Sequence, residues 1–134
     1  MPAHFLATLP NFLGYLGVAI TLLIVFVTVY LYVTPYDEIA LIRANNTAAA
    51  ISLSGALFGF AMPIANVIAH SDTYLDLAVW GLVAGGVQLL AWGVARFALP
   101  RLREDIANGH VAPATFVAAL SVTVGLLNAA CMTY

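Results

Sequence analysis

Four uncharged or nearly uncharged stretches dominate this chain, near Phe12–Val33, Thr47–Ala69, Asp76–Leu99 and Ala112–Met132. Each has about the 20 residues that a helix needs to cross a hydrocarbon core. In lipid every backbone N–H and C=O must be satisfied internally, so such a run is helical unless the chain closes a barrel. No long period-two alternation accompanies these runs, and a barrel is not expected. Composition points the same way: 63% of residues are hydrophobic and 7% charged, against roughly 25% charged in soluble domains. The expected fold is therefore an all-α integral membrane protein, a four-transmembrane-helix bundle forming a single membrane domain over its 134 residues. The first run lacks the basic flank, short apolar core and cleavage site of a signal peptide, and is expected to be a retained span.

The four arginines set the expected orientation. Arg43 lies between the first two spans, and Arg96, Arg101 and Arg103 lie at the end of the third span and just beyond it. The opposite side offers only His4, His70, Asp72 and Asp76. The positive-inside rule assigns the arginine side to the cytoplasm, so both termini should face the periplasm of a bacterial inner membrane.

Both connections on the arginine side carry helix punctuation. In the first, Thr34-Pro35-Tyr36-Asp37 reads as a threonine N-cap, a proline at the first helical position and an acid at the third. A short helix through Ile39–Ala44 should follow and stop at Asn45-Asn46, which tolerate left-handed backbone. In the second, Pro100 leads into Arg101–Ile106, and Asn108-Gly109 supplies the stop. The shared pattern of proline, short charged helix and asparagine-containing turn suggests a tandem parallel repeat of two helical hairpins, about residues 11–70 and 74–134.

Each span has a stripe of small or polar residues at helical spacing. The first carries Gly14, Gly17, Thr21, Thr28 and Tyr32; the second Ala48, Ser52, Gly55, Gly59, Pro63 and Asn66. The third carries Gly81, Gly85, Gln88 and Trp92, and the fourth Ala114, Ala118, Ser121, Gly125 and Asn128. Membrane helices pack through small residues because lipid gives them no hydrophobic drive to associate. Gly55, Gly59, Gly81, Gly85 and Gly125 are accordingly the expected helix-packing positions, and all four stripes can face the bundle centre. Ser52, Asn66, Gln88 and Asn128 are the polar intramembrane candidates. Gln88 falls near mid-span, where an amide without a partner costs several kcal/mol. Pro63 should free the carbonyl near Gly59. Asn45, Asn46 and Thr47 form the turn into the second span, and Tyr30, Tyr32, Tyr74, Trp80 and Tyr134 read as interfacial anchors.

Several chemistries find no residues. The histidines lie at or beyond span ends, which argues against haem. No buried Asp, Glu, Lys or Arg is expected to relay protons or drive a pump. Cys131 has no base beside it, and no enzyme, cofactor or metal site is expected. With a net charge of −2 and no lysine, there is no basic patch for nucleic acid.

The run Asn45-Asn46-Thr47-Ala48-Ala49, then Ser54-Gly55 with Gly59-Phe60 and Pro63, and the C-terminal Asn128-Ala129-Ala130-Cys131-Met132-Thr133-Tyr134 together resemble the YjfL-like inner-membrane proteins of domain-of-unknown-function family 350. The resemblance covers essentially the whole chain. That family carries an asparagine-threonine-alanine turn in both hairpins, whereas here the second reads His110-Val111-Ala112-Pro113. The resemblance implies no established activity; the setting of the family's genes among membrane-stress proteins implies a part in envelope maintenance or in moving a small solute. Two functional expectations follow. One is a small homo-oligomer acting as a channel or transporter, its axis lined by Ser52, Asn66, Gln88 and Asn128. The other is a non-conducting scaffold whose connectors recruit a cytoplasmic envelope-stress partner.

Overall fold

The computed structural model describes residues 2–34, 36–71 and 73–132, with side chains described from Leu6 onward. Pro35, Asp72, Tyr134 and the His4 side chain, to which the sequence assigned roles, lie outside the described residues. The chain forms α1 (Pro2–Val33), α2 (Glu38–Arg43), α3 (Thr47–His70), α4 (Tyr74–Ala98), α5 (Leu102–Ala107) and α6 (Val111–Cys131). α1, α3, α4 and α6 are long and apolar enough to span a membrane. They match the four expected spans, except that α1 begins well before Phe12 and runs through Pro10. The short helices α2 and α5 are the two connectors, at one end of the bundle.

The first connector starts later than its punctuation suggested. Thr34 is not an N-cap: its N–H donates to the Tyr30 carbonyl at 3.0 Å and its hydroxyl to Leu31 at 3.3 Å, both prolonging α1. Asp37 caps α2 instead, its Oδ1 accepting from the Ala40 N–H at 3.2 Å. Both connectors then end in the same way. Asn45 (φ 66°) and Gly109 (φ 77°) take the left-handed conformation. After them, the N–H of Asn46 reaches the Leu41 carbonyl at 2.9 Å, and that of His110 the Asp105 carbonyl at 2.8 Å. These are Schellman stops. Their sequels differ. The Asn46 Oδ1 accepts from Ala49 N–H at 3.0 Å and caps α3, whereas His110 places no side-chain cap on α6.

Packing ranks the spans. α3 and α6 form the closest pair, α4 lies on both, and α1 lies outside against α4 and α3. In the most apolar window of each helix, 56% of α3 residues are buried but only 17% of α1 residues, so α3 is the central helix and α1 the peripheral one. The α3–α6 approach is nearly backbone to backbone. A Cβ built on Gly55 would collide with Ala118, one on Gly59 with the Ser121 carbonyl, and one on Gly125 with the Gly59 carbonyl. That last carbonyl is the one Pro63, having no N–H, leaves without its helical donor. Gly125 covers it.

The α1 stripe does not face the centre. Thr21 and Thr28 are exposed and bond back to the Gly17 and Ile24 carbonyls, each at 2.8 Å. The opposite face, Leu22, Phe26 and Tyr30, is the buried one. The reason lies on α4: Gly81 makes room for the Leu22 side chain, and Gly85 lies beside Phe26 and Phe60, whose rings stack at 4.4 Å. Large residues on α1 fill hollows left by small residues on α4. At the other end of the bundle, the Tyr15 hydroxyl donates to the Ser71 carbonyl at 3.1 Å and ties α1 to the α3–α4 turn.

Candidate functional site: a buried carboxyl where a connector meets the bundle

The polar candidates of the spans are mostly absorbed by packing. Gln88 is buried, and its Nε2 donates across the bundle to the Ser121 carbonyl at 3.1 Å. Asn66 Nδ2 donates to the Ala129 carbonyl at 2.8 Å, joining the far ends of α3 and α6. Asn128 is partly buried, and its Nδ2 has no partner. Ser52 does not bond back to the preceding turn; its hydroxyl is fully buried and without a partner. Gln88 and Ser52 lie inside the subunit, so they are not available to line an axis between subunits. In the turn before α3, Asn46 does more than cap. Its Nδ2 donates to the Ile106 carbonyl at 2.9 Å and ties the end of α5 to the start of α3.

The expectation that no acid is buried fails at Glu38. Its residue is 0% exposed, and neither carboxyl oxygen has a hydrogen-bond partner. α2 explains how an acid arrives there. Ile39, Ala40 and Arg43 are exposed, whereas Leu41 and Ile42 pack against the core. Glu38 stands three and four residues before that pair and shares its face. Asp37, one residue earlier, is on the exposed side and serves as the cap.

Four elements close around this carboxyl. Tyr30 comes from α1 and is 1% exposed, not an interfacial anchor as its position suggested. Tyr36 comes from the linker, Ser52 (0% exposed) from α3, and Trp92 (4% exposed) from α4. Tyr30 and Tyr36 both lie within electrostatic reach of Glu38, and Ser52 lies beside both tyrosine hydroxyls. Yet the Tyr30, Tyr36 and Ser52 hydroxyls and the Trp92 indole N–H have no partner in hydrogen-bonding geometry. Arg96 is spent on the Trp92 ring face, with its guanidinium 5.7 Å from the centroid. The described salt bridge, His110 to Asp105 at 3.1 Å, is elsewhere.

Burial pushes the Glu38 carboxyl up from 4.5 to about 7; the nearby Thr34 hydroxyl pulls the other way. Tyr36 is pushed up to about 12, by burial first and then by the Glu38 carboxylate. Near neutral pH Glu38 thus populates both its protonated and its ionised form. The groups around it suit either form, because hydroxyls donate to a carboxylate and accept from a carboxylic acid. The signal was present in the sequence as Glu38 with Leu41 and Ile42 at helical spacing, but a six-residue helix offers too short a pattern to show which face turns inward.

The family model described as Domain of Unknown Function (DUF350) matches residues 4–132. The chain is 34% identical over 131 residues to the UPF0719 inner membrane protein YjfL of Escherichia coli (strain K12), covering 98% of this chain and 99% of that protein. It is 27% identical over 119 residues to the UPF0719 transmembrane protein YshE of Bacillus subtilis (strain 168), covering 87% and 89%. No solved structure matches significantly. The four apolar helices and these relatives together make it a multi-pass inner-membrane protein. Because the family model spans all four membrane helices and both connectors that build the carboxyl site, the chain belongs to the DUF350 family.

Proposed function

We propose that this protein moves an ion or small solute across the inner membrane, and that protonation of Glu38 is the coupling step. The observation that carries this reading is the fully buried Glu38 carboxyl, unpaired and surrounded by donors from four elements. An unpaired buried ionisable group costs several kcal/mol, and in membrane proteins such groups mark ion and proton paths. With the arginines placed inside by the positive-inside rule, Glu38 lies at the cytoplasmic end of the bundle and both termini lie in the periplasm. α1 is the least buried span and lies against the packed α3–α4–α6 interior. Movement of α1, or its pairing with a second copy in a homo-oligomer, would expose Glu38 to alternate sides. This activity is transport, with no bond made or broken, and fits a role in envelope maintenance.

Reconstitution into liposomes holding a pH-sensitive dye tests the reading. An imposed pH gradient in sodium-containing buffer should dissipate through the wild type, and Glu38→Gln should reduce the rate at least tenfold. Equal rates for the two would overturn it.

The connector face supports a second reading, a scaffold. Arg101 and Arg103 are exposed there, beside a cleft of about 400 Å³ whose lining includes Asn45, Asn46, Thr47 and Asn108. A cytoplasmic envelope-stress partner would dock on this face. Reversal of both arginines to glutamate should abolish its capture from solubilised membranes if the scaffold reading holds, with insertion unchanged.

A further inference from the structure

Resting on Glu38 as the working group, we infer that Glu38, Tyr30, Tyr36 and Ser52 form an oxygen-lined binding site for one desolvated monovalent metal cation. The members come from α1, the linker, α2 and α3, and no two share an interior turn of one helix. Their oxygens are buried, lie near one another and have no partner in hydrogen-bonding geometry. A bare cation satisfies such a set of unpaired oxygens. Oxygens at about 2.4 Å from a small cation stand roughly 3.3–5 Å apart, too far for most to bond each other. The occupant is a bare ion, because each of these oxygens is shut off from bulk water.

Charge selects the valence. The shell holds one carboxylate and three neutral hydroxyls. Asp37 is exposed and capping α2, and Arg96 is exposed over the Trp92 ring. α3 contributes only a hydroxyl, and the partly buried Asp105 on α5 pairs with His110. A divalent ion would keep a net positive charge in a low-dielectric pocket, whereas calcium sites recruit several carboxylates. A monovalent cation neutralises the site, as a proton does. The two therefore exchange one for one: the carboxyl O–H proton leaves as the cation enters, with no change of net charge. The Trp92 indole N–H is buried beside the shell and has no partner of its own.

Thermal unfolding of the purified protein in nanodiscs tests this, with sodium as the probe. At pH 8, sodium chloride should raise the unfolding midpoint and choline chloride of equal ionic strength should not. Below pH 7 the sodium concentration for half-effect should rise about tenfold per pH unit, because one proton competes for one site. Glu38→Gln should abolish the sodium dependence. Should that variant fail to fold, Ser52→Ala and Tyr36→Phe, which keep the carboxyl, should each raise the half-effect concentration severalfold. Potassium acting in place of sodium also supports a monovalent site. The inference is overturned if sodium and choline act alike on the wild type while Glu38 still titrates, which would leave a proton-only site. It is also overturned if Glu38→Gln keeps the sodium effect, or if magnesium outcompetes sodium. Sodium-dependent stability without proton flux in liposomes would sink the transport reading and leave the binding site standing; flux without sodium dependence would do the reverse.

Discussion

Two side chains at the connector end carry consequences out of proportion to their size. Glu38 holds its proton more tightly folded than unfolded, at about 7 against 4.5. Its contribution to stability is therefore complete below pH 4.5 and is lost as the pH rises through 7. Each pH unit of that separation is worth about 1.4 kcal/mol, so the protein should lose up to about 3 kcal/mol between pH 4.5 and 7.5 in a buffer without metal cations. Glu38→Gln, neutral at every pH, should flatten this dependence in thermal unfolding scans and be the more stable protein at pH 8. Asn46 is the second. It caps α3 and holds the α5 carbonyls with one amide, so Asn46→Ala removes a cap and leaves two connectors untied. A loss of about 1–2 kcal/mol is expected in denaturant titration, while His110→Ala, which removes no cap, should cost less. Asn45 and Gly109 were legible because left-handed stops depend on local chain chemistry, whereas the caps Asp37 and Asn46 were not assigned. Glu38 and Tyr30 were not legible, because only α3 and α4 decide which face of α2 and α1 meets the core.

Among the helices, small residues do two different things. Between α3 and α6 they let backbones touch, so Gly125→Ala drives a methyl into the Gly59 carbonyl, with no side chain able to yield. Between α1 and α4 they form hollows that large side chains enter, and a Cβ on Gly85 would meet Phe26 and Phe60 at 3.6 Å, an ordinary contact. Gly125→Ala should therefore cost about 1–3 kcal/mol and Gly85→Ala nearly nothing, a difference readable in detergent unfolding of the two variants. Sequence spacing shows that stripes exist but treats the two interfaces alike. The α1 stripe shows the limit: its threonines satisfy their own hydroxyls on the preceding turn, which frees that face to look outward at no hydrogen-bonding cost.

At the scale of the molecule, the bundle is a tight α3–α4–α6 core with α1 laid against its side. Hydrogen exchange should reflect this, with α1 amides near Thr21 and Thr28 exchanging before those of α3 near Gly55 and Gly59. The proposed orientation has its own check, since Cys131 is the single cysteine and is exposed. A membrane-impermeant maleimide should label it in spheroplasts, and label it far more slowly in inverted vesicles. The sequence alone determined that four helices cross the membrane, because a run of apolar residues has no other way to satisfy its backbone in lipid. It also located the turns, whose left-handed residues act within a few positions. What only the tertiary structure decided is which faces meet. In lipid both faces of an apolar helix are equally content, so the choice depends on shape against a neighbour. By that choice α1 turns Tyr30 inward, α2 turns Glu38 after it, and a polar site forms in an otherwise apolar protein.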